Sequence, residues 1–66
     1  MMIDRKRLKV LLAERDLLQW QLAAQLGLSA SAFSNYVRGT HRPPKSFLYR
    51  LEQALGFEPG TSGLDA

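Results

Sequence analysis

Ala30, Ser31, Ser34, Asn35 and Arg38 recur at helical spacing, and none is a carboxylate. On one helix they share a face. An asparagine amide sets a donor beside an acceptor, the arrangement that pairs with the N6 and N7 edge of adenine. Serine hydroxyls donate to or accept from several base edges, and an alanine methyl can touch the methyl of thymine. A face of this kind suits the major groove of B-DNA, which is about 12 Å wide and admits one helix. Groups suited to phosphate oxygens flank it: Gln19 and Ser29 before it, and Arg38, Thr40, His41, Arg42 and Lys45 at its end and beyond. The plain alternative is a solvated helix face with ordinary surface charge.

Catalytic chemistry has little to stand on. There is no cysteine nucleophile, no glycine-rich phosphate loop and no carboxylate pair in a recognisable setting. His41 is the single histidine and cannot form a metal site alone. The expectation is a non-enzymatic protein with no metal, no cofactor and no small-molecule substrate.

The elements that must position these residues follow from periodicity and punctuation. Asp4 can cap a first helix of about Arg5 to Glu14, with Leu8, Leu11, Leu12 and Arg15 at helical spacing behind Ile3. Asp16 with Gln19 has the form of a capping box, which starts a second helix near Leu17 or Leu18. Its apolar stripe is Leu18, Leu22, Ala23 and Leu26. Gly27 ends it, Leu28 supplies the apolar contact of such a stop, and Ser29 caps a third helix of Ala30 to about Arg38. Phe33, Tyr36 and Val37 form the inner face of that helix. The three-residue link Gly27-Leu28-Ser29 forces a sharp bend, the helix-turn-helix arrangement. Gly39 ends the third helix. Pro44 suits the first turn of a fourth, which runs to about Leu55 with Phe47 or Leu48, Leu51, Ala54 and Leu55 inward. Gly56 closes it. Residues 1–57 form the domain in this reading, and 58–66 a flexible tail or dimerisation arm. The fold class is all-α, a compact four- to five-helix bundle.

Charge supports the assignment of the central face. The 66 residues carry nine Lys and Arg against six Asp and Glu, a modest excess. Its distribution is more telling, because no acid lies between Leu17 and Leu51 while Arg38, Arg42, Lys45 and Arg50 do. A segment without negative charge suits a polyanion. Arg5, Lys6 and Arg7 read as a solvated helix face rather than a DNA arm. A chain this short buries only about 60% of its unfolded surface. With no disulfide available, packed helices or a partner subunit must stabilise it. The absent cysteines fit a cytoplasmic setting. No apolar run approaches the roughly 20 residues of a membrane span, and no secretory signal is evident.

The stretch from Gln19 to Gly39 reads QWQLAAQLGLSASAFSNYVRG. With Gln19, Leu22, Ala23, Leu26, Gly27, Leu28 and Ser29 in place, it resembles the Cro and lambda-type repressor family, the XRE-like helix-turn-helix group. Phe33, Gly39, Pro43 and Leu55-Gly56-Phe57 extend the likeness over roughly residues 5–57. The resemblance implies a lambda-repressor-like bundle and sequence-specific binding to double-stranded DNA. It places Ala30, Ser31, Ser34 and Asn35 at base-facing positions. Gln19 would contact phosphate and brace the reading helix, and Arg38 with the loop Thr40 to Lys45 would grip the backbone. Four departures stand out. Leu18 replaces the usual Ser or Thr cap, so Asp16 is expected to cap instead. Leu12 and Val37 replace an Arg–Glu pair by two apolar residues, a substitution that can match an ion pair in stability. Glu52 stands where a small residue is common, marking a solvent-facing shift or a subunit contact. Ala30 lacks the hydrogen-bonding capacity of the usual Gln.

Together these readings point to a transcriptional regulator, most readily a Cro-like or prophage-type repressor. A homodimer on a pseudo-palindromic operator is expected, with Phe57, Leu64 and Leu55 as interface candidates. Trp20 is expected against Met1 to Ile3, the tail or a partner. The competing readings are a helix-turn-helix protein-interaction module and an antitoxin-type autoregulator.

Overall fold

A computed structural model describes residues 2–66 as four α-helices. They are α1 (Arg5–Glu14), α2 (Gln19–Gln25), α3 (Ala30–Arg38) and α4 (Lys45–Ala54). No fifth helix follows Gly56; residues 57–66 are turns, bends and one isolated bridge. Asp4 caps α1 by accepting the Arg7 amide at 3.0 Å, and Ser29 caps α3 by accepting the Ala32 amide at 3.1 Å. Both contacts satisfy donors that a helix start leaves free.

The cap of α2 differs from expectation. Leu18, not Asp16, is the first flanking residue, and its backbone N–H donates to Gln21 Oε1 at 2.9 Å. Leucine has no acceptor to return, so half of a capping box is formed. Asp16 instead has φ +49 and belongs to the end of α1. Aspartate tolerates this left-handed conformation better than most residues.

Three helices stop in the same way. The amides of Leu17, Leu28 and Phe57 donate to the carbonyls of Leu12, Ala23 and Glu52 at 2.9, 3.0 and 2.8 Å. The amides of Asp16, Gly27 and Gly56 donate to Ala13, Ala24 and Gln53 at 3.2, 3.0 and 3.1 Å. This double closure is the Schellman motif, with a left-handed residue at its centre. Leu17, Leu28 and Phe57, the residues just past each stop, pack partly buried against the core. Each turn therefore also contributes to the interior.

The core holds Ile3, Leu8, Leu11, Leu12, Leu22, Ala23, Leu26, Phe33 and Val37, and beyond them Phe47, Leu48, Leu51, Leu55 and Leu64. Phe33 meets Phe47 edge to face at 5.6 Å between ring centroids, and Tyr36 tilts against Phe47 at 4.9 Å. Such aromatic pairs add about 0.5–1.5 kcal/mol beyond their buried area. They lock α3 onto α4. Leu18 and Ala54, expected inward, are exposed.

Arginines complete the helix ends. The Arg15 guanidinium donates to the Leu55 carbonyl at 3.1 Å and lies 5.2 Å from the centre of the Phe57 ring. Arg50 donates to the Leu26 carbonyl, and Arg7 to the Ser62 carbonyl at 3.0 Å. These cations lie at the surface yet are engaged with the backbone of the fold.

Residues 58–66, expected as a mobile tail or arm, are docked. Leu64 is wholly buried, Ile3 bridges Asp65 in antiparallel fashion, and the Asp4 amide donates to the Leu64 carbonyl at 2.8 Å. Leu64 and Leu55 are therefore interior residues of one chain, which removes them as interface candidates; Phe57 is half-buried. The anchor is Glu52, only 1% exposed and neither solvent-facing nor free for a subunit contact. Its carboxylate accepts the Gly60 amide at 3.1 Å, the Ser62 amide at 3.3 Å and the Ser62 hydroxyl at 2.6 Å. The Ser62 oxygen in turn accepts the Leu64 amide at 3.2 Å. Burial alone would raise the Glu52 pKa. The hydrogen bonds from the Ser62 hydroxyl and the Gly60 and Ser62 amides outweigh it and hold the group below its ordinary 4.5. A buried carboxylate can stay ionised without a cation when several donors converge on it.

Two outcomes are expected from thermal or urea unfolding. A depressed folded pKa stabilises above the unfolded pKa and is lost as pH falls through the folded one. Wild type should therefore lose the Glu52 contribution below about pH 4.5. Glu52→Gln should cost about 1.5–3 kcal/mol at pH 7, with the deficit shrinking in acid. A deficit that is the same at pH 3 and pH 7 would refute the ionised anchor. Gly27→Ala should cost about 1–2 kcal/mol from left-handed strain alone, because φ is +72 and an added Cβ would meet nothing within 4 Å.

Candidate nucleic-acid interface

The exposed side of α3 is built by what its other side buries. Phe33 and Val37 are inside, so Ala30, Ser31 and Arg38 stand exposed and Ser34 and Asn35 half-exposed. The Asn35 side-chain oxygen accepts from Arg38 Nη2 at 3.4 Å, a long and exposed contact that a better partner can displace. Ser29 is engaged as the cap of α3. Its oxygen accepts from Ala32, yet the hydroxyl proton remains free to donate outward.

Gln19 opens α2 and lies beside Ser34. The two line one groove with Ala30 and Trp20, and a second with Arg38, Leu12 and Val37. Leu12 and Val37 are both buried and share the floor of that second groove, the apolar exchange expected from the sequence. The loop after α3 presents Thr40, His41 and Arg42 to solvent while Pro43 is buried. The His41 amide donates to the Asn35 carbonyl at 3.2 Å, which ties the loop back to α3. Lys45 is the exposed first residue of α4.

Among the described residues the ion pair within 4.0 Å is Arg15 with Glu14, at 3.7 Å. The cations around α3 thus have no carboxylate partner at that distance. No described helix is long and apolar enough to cross a membrane, and no group of three or more His, Cys, Asp or Glu is placed to hold a metal.

A family model described as a helix-turn-helix domain matches residues 6–62. The chain belongs to the helix-turn-helix domain family. Searches of curated proteins and of solved structures give no match. The family match runs past Phe57 and ends at Ser62, so it takes in the first part of the docked segment 58–66, the strap that Glu52 holds. In helix-turn-helix terms, α2 and α3 are the pair joined by the tight turn through Gly27 and Leu28.

Two features of the surface escaped the sequence reading. Trp20 is 60% exposed and Leu18 57%, and both line a cavity of about 400 Å³ beside Ala30 and Ser34. Trp20 therefore does not lie buried against Ile3 or the strap; Met1, named with them, lies outside the described residues. Leu18 is the extended cap residue before α2, so the helical period that grouped it with Leu22 and Leu26 does not reach it. Arg5 and Lys9 are the second feature, since they share the groove of Gln19, Ser34 and Arg38. Their i, i+4 spacing on α1 was visible, but the approach of α3 to that face was not.

Loss of the α3 cap should be measurable on its own. Ser29→Ala should lower unfolding stability by about 1 kcal/mol, and Ser29→Asp should retain most of it. Equal losses in both would remove the capping role.

Proposed function

We propose that this helix-turn-helix domain is a non-enzymatic, sequence-specific DNA-binding regulator of transcription, of the Cro and lambda-repressor kind. Helix α3 enters the major groove. Ala30, Ser31, Ser34 and Asn35 face the bases, with Asn35 the strongest reader through a bidentate contact to adenine. Gln19, Ser29, Arg38, Thr40, His41, Arg42 and Lys45 contact phosphates and set the register. One observation carries this reading: α3 buries Phe33 and Val37 while presenting an acid-free row of short polar side chains beside Gln19. Acidic side chains there would be repelled by the phosphates that flank the groove.

One domain of this size reads few base pairs, so the regulator acts as a homodimer on a pseudo-palindrome with half-sites about 34 Å apart. Repression follows if that site overlaps a promoter. A second reading has its own support in exposed Leu18 and Trp20, an apolar pair of the kind that docks a protein partner.

Selection of bound sequences from a random DNA pool separates the two. Binding of a two-fold symmetric motif at least ~10³ tighter than scrambled DNA is expected. Absence of enrichment, with only weak salt-labile binding, overturns the DNA reading and favours the docking module. Once a site is known, Asn35→Ala should cost about 1–3 kcal/mol at one base position and little on scrambled DNA. An equal loss on both ligands removes its base-reading role.

A further inference from the structure

Helices α1 and α3 enclose a groove of about 130 Å³. Leu8, Leu12 and Val37 line its apolar part. Arg5 and Lys9 reach it from α1, and Arg38 from α3. Gln19 and Ser34 add an amide and a hydroxyl. No residue that lines it is acidic, and none of the three cations has a carboxylate within 4.0 Å among the described residues. Three like charges collected without a counter-charge raise the local potential, and a low-dielectric wall strengthens their field. An anion entering the groove would gain from all three cations, and the neutral groups at the site can both donate to one. The groove is open to solvent and has room for a phosphate group.

We infer that this groove seats one backbone phosphate of the bound DNA, with Arg5 and Lys9 as its α1 ligands and Arg38 as its α3 ligand. The inference rests on the DNA-binding reading and extends the interface to α1, whose basic face otherwise looks merely solvated. Its position matters as much as its charge. Arg38 and Ser34 belong to the reading helix, so a phosphate held here fixes the distance of α3 from the strand it flanks. The arginines engaged with backbone carbonyls, Arg15 and Arg50 at helix ends and Arg7 at Ser62, take no part.

The test uses the selected DNA site, wild type and the double variant Arg5→Gln/Lys9→Gln. The slope of log K against log salt concentration should fall by about 1 in the variant. Affinity should drop on operator and scrambled DNA alike, with the preferred motif unchanged. Lys9→Arg should keep the wild-type slope, and Lys6→Gln, one residue further round α1, should leave it unchanged. All four proteins should melt together, since these side chains are exposed. Ethylation of individual phosphates locates the contact: one ethylated position that weakens wild type should weaken the double variant distinctly less, because only Arg38 is left to hold that phosphate. A double variant with the wild-type slope overturns the inference while leaving DNA binding intact. So does a reduced slope with every ethylation effect retained, which would mean diffuse charge. Failure of wild type to select any DNA overturns the DNA reading itself, and this seat with it.

Discussion

The architecture depends on Phe33. A short helix that must show a polar face to solvent can be held only through its remaining side, and α3 has little to offer there. Phe33 and Val37 are its buried residues, and Tyr36 helps from the edge. The edge-to-face contact of Phe33 with Phe47, with Tyr36 tilted against the same ring, joins α3 to α4. Loss of a buried Phe typically costs 3–5 kcal/mol, a large share of what a domain this small has in total. The polar residues of α3 are therefore presented by a rigid support, not by a loop, and their spacing is that of the helix itself.

Much of this was legible in the sequence. Ser29 before Ala30, Gly27 after Leu26 and the period of Phe33 and Val37 are local signals, and each acts through neighbours a few residues away. The four helices and the bend between α2 and α3 follow from such signals. What could not be read depends on partners far along the chain. Glu52 looked like a surface charge because its three donors come from Gly60 and Ser62, on a segment whose Pro, Gly, Ser and Thr content resembles a tail. Composition reports how a segment behaves when nothing holds it, and here a buried carboxylate does. Asp16 misled for a different reason. Aspartate serves both as a helix cap and as a left-handed residue, and the geometry at the end of α1 chose the second.

The cations divide by role in a way that charge counting hides. Arg7, Arg15 and Arg50 donate to backbone carbonyls at Ser62, Leu55 and Leu26, satisfying acceptors that helix ends and the strap would otherwise leave bare. The acid-free stretch from Leu17 to Leu51 thus contains one arginine turned to structural use, and the surface cations around α3 are fewer than the sequence suggests. Those that remain are concentrated. Arg5, Lys9 and Arg38 border one groove, and Thr40 to Lys45 follow α3 directly, so a small net charge acts as a local field. The apolar pair Leu12 and Val37 adds no charge of either sign to that groove.

The pairing of the two end segments has a mechanical side. The Ala66 amide donates to the Met2 carbonyl at 3.0 Å, with the Asp4 and Leu64 bond next inward. Arg7 with Ser62, and Ser62 with Glu52, lie beyond. Tension applied at the two ends would load these bonds one after another, as a zipper is opened, instead of shearing them together. Opening the second would uncover Leu64, and opening the last would strip the Ser62 donors from Glu52. Met2 and Ala66 are thus held side by side on the surface of the domain.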